Sequence, residues 1–372
     1  MRRSVRVVLD YRPALRQRTG VGEYAHEMSR ALRRQLAPSD DLMLFSSSWK
    51  DRLPAGVIPG AIVVDARIPV TVLNAAWHRL EWPPIEQFAG PVDVAHSLHP
   101  LLMPARGAAQ VVTVHDLHFL DNPGNASAEI RRDYPTLTGA HARRADAVIT
   151  VSEYTAGRIR TQLGVPSDVV SICPPGAPPW ERRREPTSNG PILFMGTIEP
   201  RKNVPVLLGA YEALVTRRPD APPLILAGNV TPACQVVLER IQQLPLAGRV
   251  RHVGYVSGAE REKLYREASM LVLPSLDEGF GMPVLEAMTL GVPAVISNRG
   301  ALPEVAGDAA LVVDAEDPRG LAAAMERLLG DPALAARSAD AGVARSRQFS
   351  WDTSAARLLK AYASAIERRT RR

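Results

Sequence analysis

Residues 270–288 read MLVLPSLDEGFGMPVLEAM, and this stretch decides the fold of the second half of the chain. An apolar strand ends at Leu273, a glycine-containing loop follows, and Pro283 lies where a helix begins, a position that favours proline. A strand, a tight loop and a helix in this order are typical of a parallel α/β sheet. The stretch therefore predicts a Rossmann-like domain with a ligand site at this loop.

The loop and the start of the helix have the chemistry of a phosphate site. Backbone N–H groups at a helix N-terminus attract phosphate, and the candidate binding residues there are Gly279, Phe280, Gly281 and Met282. Glu286 lies about one turn into the helix, where its carboxylate could accept hydrogen bonds from ribose hydroxyls. Glu278 lies in the preceding loop, where it would face a sugar. The alternative interpretation of the two glutamates is a pair of exposed carboxylates.

Short β-branched runs alternate with helical patterns on both sides of this stretch, which predicts βαβ units and parallel sheets. In the second half, strands are predicted at Ile192–Met195, Leu224–Ala227, Val250–His252, Met270–Leu273, Ala294–Ile296 and Ala310–Val313. In the first half, they are predicted at Val5–Leu9, Leu42–Phe45, Ala61–Val64, Val92–Ala95, Gln110–Val114, Ala147–Val151 and Val169–Ile172.

Residues 173–190 read CPPGAPPWERRREPTSNG and interrupt the alternation, which predicts a domain linker. We expect an N-terminal domain over residues 1–175, a C-terminal domain over residues 188–350 and a last helix over residues 353–372. The predicted fold is α/β, with two doubly wound parallel-sheet Rossmann-like domains facing across a cleft. The ligand site is expected in that cleft, at the carboxyl ends of the strands.

A second motif, FMGTIEPRKN at residues 194–203, begins at the end of a predicted strand. Gly196 belongs to this loop, and Asn203 is predicted to cap the helix that follows. Arg201 and Lys202 could hold a diphosphate and stabilise the charge that it gains as a leaving group. No Asp-x-Asp pair occurs in the chain, which argues against a metal-held diphosphate. The alternative interpretation of the two cations is a solvated turn.

Two motifs in the first half are weaker. Residues 19–24, TGVGEY, follow the first strand, and Gly20 and Gly22 would let a backbone loop approach a ligand. A plain tight turn is the alternative. The helix that follows is predicted over Tyr24–Leu36. His115 and Asp116 follow a later strand. His115 could hydrogen-bond a sugar hydroxyl, and Asp116 is a candidate general base or, equally, a turn residue.

Composition narrows the class of protein. The chain has 372 residues and a net charge of +6, and residues 1–180 carry half of this excess, so charge does not single out a nucleic-acid-binding half. The two cysteines, Cys173 and Cys234, are predicted to be buried thiols. No signal peptide or membrane span is visible, so a cytoplasmic location is expected, with peripheral contact at the inner face of a membrane as an extension.

Two further segments have competing interpretations. Residues 73–88 carry Trp77, Arg79, Trp82 and Ile85 and could bind an acceptor or a membrane surface, although core packing is the commoner reason for such a stripe. The arginines of residues 368–372 are predicted to be a solvated tail. His96, His99 and His118 are predicted to be structural.

The motifs together resemble glycosyltransferase family 4, and in particular its mannosyltransferase-like members. The resemblance covers nearly the whole chain and is most specific at EGFGMPVLEAM, GTIEPRKN, LYREASMLVLPS and LPEVAGDAALVVD. TGVGEY and VHDLHFL in the first half are also similar to that family. The resemblance implies the GT-B fold, with the last helix, after Trp351, packing back on the first domain.

The same resemblance implies residue roles. Arg201 and Lys202 would hold the donor diphosphate, Glu286 the ribose and Glu278 the donor sugar. His115 would approach that sugar from the other domain, and Gly20 and Gly22 would lie near the phosphates.

The activity implied is metal-independent transfer, with retention of configuration, of a hexose from a nucleotide diphosphate sugar. Mannose from GDP-mannose is the preferred donor, with UDP-glucose and dTDP- or GDP-linked deoxysugars as alternatives. The acceptor would be a glycan or a lipid-linked sugar, and neither a cofactor nor a nucleic acid is expected. A GT-B sugar epimerase, a phosphorylase-like enzyme and a catalytically silent nucleotide-sugar-binding scaffold are the competing functions.

Overall fold

The computed structural model describes residues 4–15, 18, 20–122, 124, 128–184, 187 and 189–372. The chain divides into two compact units. Unit 1 comprises residues 1–176 together with residues 350–372, and unit 2 comprises residues 177–349. Thr19 of the TGVGEY motif and residues 185, 186 and 188 of the predicted linker lie outside the described residues.

Unit 1 contains a sheet of seven parallel strands in the order β3-β2-β1-β4-β5-β6-β7. The strands are β1 (Arg6–Asp10), β2 (Asp41–Ser46), β3 (Ile62–Asp65), β4 (Val94–Ser97), β5 (Ala109–Val114), β6 (Ala147–Thr150) and β7 (Val170–Ile172). The central strands are buried over nearly their full length, as expected for a parallel sheet covered on both faces. The strand order reverses between β1 and β4, where doubly wound sheets bind ligands.

Helices connect these strands. They are α1 (Gly20–Gln35), α2 (Val70–Leu80), α3 (Glu86–Ala89), α4 (His118–Asp121), α5 (Ala128–Arg144) and α6 (Glu153–Leu163), and α14 (Trp351–Arg371) joins unit 1 after the chain has passed through unit 2. Leu73 and Trp77 of α2 are buried in a core that includes Phe45 and Ile85. Trp82 is 56% exposed, so the segment at residues 73–88 is mainly core packing with one exposed indole.

Helix α14 is fixed to unit 1 by polar contacts at both ends. The Tyr362 hydroxyl lies 2.6 Å from Nδ1 of His96 in β4, and Arg34 of α1 pairs with Asp352 at 2.6 Å. Arg368 donates to the carbonyl oxygen of Asp146 at 3.0 Å. The prediction of a solvated arginine tail is therefore wrong for Arg368, because the carboxyl-terminal turns of α14 lie against loops of unit 1.

Unit 2 contains six parallel strands in the order β10-β9-β8-β11-β12-β13. They are β8 (Ile192–Met195), β9 (Leu224–Ala227), β10 (Val250–Gly254), β11 (Met270–Leu273), β12 (Ala294–Ser297) and β13 (Ala310–Val313). The helices are α7 (Val204–Arg217), α8 (Gln235–Arg240), α9 (Gly258–Glu267), α10 (Met282–Leu290), α11 (Leu302–Ala306), α12 (Pro318–Gly330) and α13 (Pro332–Ser346). This order reverses between β8 and β11.

The two-sheet α/β fold predicted from the sequence is confirmed. Each predicted strand is present, and the observed ends differ from the predicted ends by no more than two residues. Cys173 and Cys234 are buried free thiols, as predicted. Within the described ranges, no helix combines the length and the apolar character needed to cross a membrane.

Candidate functional site

The loops that follow β8 and β11 meet where the strand order of unit 2 reverses. Both motifs singled out in the sequence lie in these loops: residues 196–203 follow β8, and residues 274–281 follow β11. The two strands are hydrogen-bonded neighbours, and the Leu276 N–H donates to the Arg201 carbonyl at 2.8 Å. This edge of the sheet is the position at which open α/β sheets bind ligands.

Asn203 is the N-cap residue of α7, as predicted, and its side chain fixes the first loop. It has a left-handed backbone (φ 56°), and its side chain makes no capping hydrogen bond to α7. Its amide instead donates to the carbonyl oxygens of Pro274 at 3.1 Å and Ala315 at 2.7 Å. The predicted N-cap position is therefore confirmed, but the side chain does not cap the helix, because it joins the loops after β8, β11 and β13.

A buried cluster of charges, which we call the Glu278 cluster, joins the two loops. It consists of Arg201, Lys202, Ser275 and Glu278. Lys202 Nζ and the Ser275 hydroxyl both donate to Oε1 of Glu278, the second at 2.7 Å. Arg201 donates to Oε2 of Glu278 at 2.9 Å. The Glu278 carboxylate therefore accepts hydrogen bonds from both loops.

The Glu278 carboxylate stays ionised despite its burial. Only 5% of the residue is exposed, and this burial by itself would raise the pKa of the carboxyl. Lys202, Arg201 and Ser275 more than offset the burial and lower the pKa of Glu278 to about 2. The cluster is therefore an ion-pair network at neutral pH. Gly196 lies beside it, since a Cβ there would be 3.5 Å from Cε of Lys202.

Arg201 is also held by a second acid. Its Nε and Nη2 atoms donate to Oε1 of Glu199 at 3.2 and 2.8 Å, and its Nη1 atom donates to the Asp277 carbonyl at 2.9 Å. Glu199 is the more exposed acid, with 26% of its side chain accessible against 7% for Glu278. The guanidinium is thus fixed in orientation at the edge of the site.

The loop at residues 279–281 leads into the N-terminus of α10. Gly281 is the N-cap residue and has a positive φ of 104°, and no side chain caps the helix there. Met282 is the first helical residue, and an N–H at this position has no partner within the helix, whereas Pro283 has no N–H and the Val284 N–H donates to the Gly281 carbonyl at 2.9 Å. Phe280 is buried and its ring packs edge-on against Phe349.

Glu286 lies in the middle of α10 and is 4% exposed. Arg261 of α9 pairs with it, with 3.5 Å between Nη1 and Oε1. The guanidinium of Arg261 also lies 5.7 Å from the ring centroid of Trp180. The Tyr265 hydroxyl is buried, and this burial together with the Glu286 carboxylate raises the pKa of Tyr265 well above its ordinary value. Glu286 is therefore not an exposed surface carboxylate.

The loop after β12 supports Glu278, and the sequence did not indicate it. Ala301 donates its N–H to the Glu278 carbonyl at 2.8 Å. Gly300 has a φ of 64°, and a Cβ there would lie 2.4 Å from the Glu278 nitrogen. Only glycine fits this close approach without a shift of the loop. The signal available in the sequence was the Arg299-Gly300 pair, which follows a predicted strand after two intervening residues.

In unit 1, the glycine motif lies in a helix and not in a loop. Helix α1 begins at Gly20, four residues earlier than the predicted start at Tyr24. A Cβ at Gly22 would lie 2.6 Å from the carbonyl oxygen of Pro13, whereas a Cβ at Gly20 would meet nothing within 4 Å. The loop prediction is therefore wrong. Gly22 allows α1 to pack against the short turn at residues 12–14.

His115 and Asp116 follow β5, as predicted, and both are partly buried. His115 Nε2 lies 3.2 Å from the Leu98 carbonyl, and its ring packs edge-on against Tyr24. Burial lowers the pKa of His115 to about 4, so the imidazole is neutral at neutral pH. One carboxylate oxygen of Asp116 accepts a hydrogen bond from the His118 N–H at 3.1 Å. This contact agrees with the alternative prediction that Asp116 is a turn residue.

A second charged cluster lies at the strand-order reversal of unit 1, between the ends of β1 and β4. Asp10 is fully buried and accepts hydrogen bonds from Arg12, at 2.8 Å to Nε. His99 Nε2 lies 3.1 Å from the same carboxylate, and Asn74 accepts a hydrogen bond from Arg12 at 2.7 Å. We call these four residues the Asp10 cluster. Sequence reasoning missed it, although a charged Asp-Tyr-Arg run directly after an apolar strand was visible.

Among the described residues, no group of three or more His, Cys, Asp or Glu side chains could hold a metal ion.

Comparison with known proteins gives matches over both halves of the chain. Residues 181–345 match the family Glycosyl transferases group 1, and residues 18–180 match Glycosyltransferase Family 4. An O-antigen chain mannosyltransferase B from Escherichia coli is 33% identical over 272 residues, which are 70% of this chain and 71% of that protein. A D-inositol 3-phosphate glycosyltransferase from Xylanimonas cellulosilytica is 28% identical over 95% of this chain and 93% of its own length.

A likeness in fold extends to solved structures. A sucrose-phosphate synthase from Thermosynechococcus elongatus superimposes with a TM-score of 0.77 at 19% identity, covering 97% of this chain and 98% of the other.

Proposed function

The chain belongs to the group 1 glycosyl transferases, with an N-terminal part of glycosyltransferase family 4, and on this premise we propose that it transfers a hexose from a nucleotide diphosphate sugar to a glycan or lipid-linked acceptor. We infer the donor class from the ion pairs that Arg201 and Lys202 make with Glu278 at the edge of the unit 2 sheet. Two fixed cations suit a diphosphate leaving group.

The preferred donor is GDP-mannose. Support comes from the relative that is 33% identical to this chain, because its name says that it transfers mannose. UDP-glucose is the competing donor. The N-terminus of α10 would receive a phosphate, and Glu286 would bind the ribose, with Arg261 keeping its carboxylate oriented.

The proposed reaction is metal-independent and retains configuration at the anomeric carbon. The bond from that carbon to the diphosphate oxygen breaks, and Arg201 and Lys202 stabilise the charge that develops on the oxygen. The acceptor hydroxyl attacks from the face that the diphosphate leaves, and the departing phosphate takes the hydroxyl proton. In unit 1, we propose that His115 binds a sugar hydroxyl as a neutral imidazole and that Asp116 is the alternative general base for the acceptor hydroxyl.

Calorimetric titration of the full chain tests the donor site. GDP, UDP and dTDP are titrated without metal and then with magnesium. Tight binding of one of them without metal is expected, with GDP preferred. If binding requires magnesium, the role given to Arg201 and Lys202 is wrong. Release of nucleoside diphosphate from the matching nucleotide sugar then separates an enzyme from a silent binding scaffold, and proton NMR of the product's anomeric signal tests retention.

A further inference from the structure

We infer that Glu278 is an internal competitor of the donor diphosphate: it holds Arg201 and Lys202 in the unliganded protein and must release them when the diphosphate binds. This inference rests on the proposed function and deepens it. It assigns to Glu278 a role in choosing between the nucleotide sugar and the free nucleoside diphosphate.

The first observation is that Glu278 occupies the cations from inside the protein. Lys202 Nζ lies against Oε1 and Arg201 Nη1 against Oε2, so each carboxylate oxygen holds one cation. The lysine and the glutamate side chains are only 9% and 7% exposed. A diphosphate that took over these two hydrogen bonds would have to replace the carboxylate oxygens.

The second observation is the charge balance. Arg201 and Lys202 carry two positive charges, and their partners Glu199 and Glu278 carry two negative charges. A nucleoside diphosphate brings further negative charge to a site that these four side chains leave neutral. Attraction between unit charges a few ångströms apart is strong in a partly buried site. Net attraction for the diphosphate therefore appears only after an acid has withdrawn from its cation.

The third observation concerns which acid withdraws, and how. The Glu199 carboxylate pairs with Arg201, whereas the Glu278 carboxylate pairs with both cations. Burial opposes ionisation of Glu278, but Lys202 and Arg201 keep its pKa near 2, so it cannot release the cations by taking up a proton at neutral pH. Displacement by another anion is the remaining route.

A displaced Glu278 carboxylate would be buried without its cations, which is unfavourable unless new donors replace them. Ser275 stays in place and supplies one, at 2.7 Å. The hydroxyl groups of a donor sugar can supply the others, whereas a free nucleoside diphosphate has no sugar to offer. The site should therefore bind the nucleotide sugar more tightly than the diphosphate product, and loss of the sugar should favour product release.

Calorimetry on the full chain, without metal, tests the inference with two pairs of probes: GDP with GDP-mannose, and UDP with UDP-glucose. In Glu278→Gln, we expect the diphosphate of the preferred pair to bind about tenfold or more tighter than in the wild type, because the competing charge is gone. The nucleotide sugar should gain less, so the preference for the sugar form should shrink or reverse. The matched control is Glu199→Gln, which removes a charge from Arg201 only and should change diphosphate binding less than about threefold.

A second variant keeps the inference testable if Glu278→Gln folds poorly. Ser275→Ala keeps every charge but removes the donor that remains to a displaced Glu278, so it should weaken diphosphate binding by about twofold to threefold. Circular dichroism and thermal unfolding of each variant establish that it is folded.

The outcomes separate the inference from the proposed function. Unchanged or weaker diphosphate binding in Glu278→Gln overturns the inference while the donor site stands. A gain of equal size in Glu199→Gln also overturns it, because net charge alone would then explain the effect. If neither the wild type nor Glu278→Gln binds any of the four probes, the proposed function fails, and the inference fails with it.

Discussion

The Glu278 cluster of unit 2 and the Asp10 cluster of unit 1 occupy equivalent places, each where the strand order of a parallel sheet reverses. They differ in how their charges are joined. Asp10 and Arg12 are two residues apart, whereas Glu278 pairs with cations 76 and 77 residues away. An ion pair between residues of the same turn is held together by the backbone that connects them. A pair made between two loops can be exchanged for a ligand, and this difference suggests that the first cluster stabilises the fold and the second binds.

The largest expected effect comes from breaking the local pair. Asp10→Asn leaves the Arg12 guanidinium without its buried counter-charge and should lower the free energy of unfolding by about 3–5 kcal/mol. Denaturant unfolding measures this change. The control is Asp41→Asn, whose partner Arg6 is about one third exposed, and which should cost about 0–1 kcal/mol. Equal stability of Asp10→Asn and wild type would contradict the structural role.

A substitution in the Glu278 cluster should lower the rate of sugar transfer. If Arg201 stabilises the departing diphosphate, Arg201→Ala should lower kcat by about 10²–10³, because a fixed charge near the leaving group acts mainly in the transition state. Release of GDP from GDP-mannose is the assay. Arg217→Ala, which removes an exposed pair with Glu326, is the matched control and should keep the wild-type rate. An Arg201→Ala enzyme as fast as wild type would remove Arg201 from the mechanism.

Acid should weaken the protein through both clusters. Burial by itself would raise the pKa of the Glu278 and Asp10 carboxyls. The cations beside them outweigh burial and lower both pKa values, that of Glu278 from 4.5 to about 2. A lowered folded pKa means that the stabilisation is complete above the unfolded pKa and is lost as the pH falls toward the folded one. Stability should therefore fall between pH ~4.5 and pH ~2, with a contribution from Glu278 on the order of 3 kcal/mol.

Urea unfolding along a pH series checks this acid dependence. Glu278→Gln removes the titrating group, so its stability should depend less on pH in that window than the wild-type stability does. An acid limb that is equally steep in the variant would show that Glu278 titrates with its ordinary pKa.

The smallest effect concerns an amide. Asn74→Ala removes one acceptor from Arg12 and should lower the free energy of unfolding by about 1 kcal/mol, since a partly buried donor loses its partner. Gln162→Ala removes the same kind of acceptor from Arg158 on an exposed face and should have almost no effect. Denaturant unfolding of both variants is the comparison. Equal losses would mean that the Asp10 cluster gains nothing from its burial.

The strands of both sheets could be predicted because parallel strands that are buried on both faces have short, continuous apolar sequences. The sequence also predicted which residues of unit 2 meet, since motifs at the ends of neighbouring strands converge. That Arg201 and Lys202 are paired with Glu278 could not be foreseen, because spacing along the chain says nothing of a contact across 76 residues.

The misses have specific causes. Asn203 directs its amide to other loops, and a local capping rule has no access to those carbonyls. The start of α1 was placed too late because glycine usually marks a loop, whereas Gly22 serves the close packing of the helix. Arg368 contacts a backbone carbonyl 222 residues earlier, so only the position of α14 explains it.

Helix α14 also orders events during synthesis. Unit 2 is continuous in sequence, so all of its strands have left the ribosome once residue 349 has emerged. Unit 1 is started first, yet it lacks the helix that packs on α1 until residues 350–372 follow. Domains fold as units during translation, usually from the N-terminus onward. Here the half that is translated first completes its fold last, so the part of its sheet that α14 covers stays without that cover throughout elongation of unit 2.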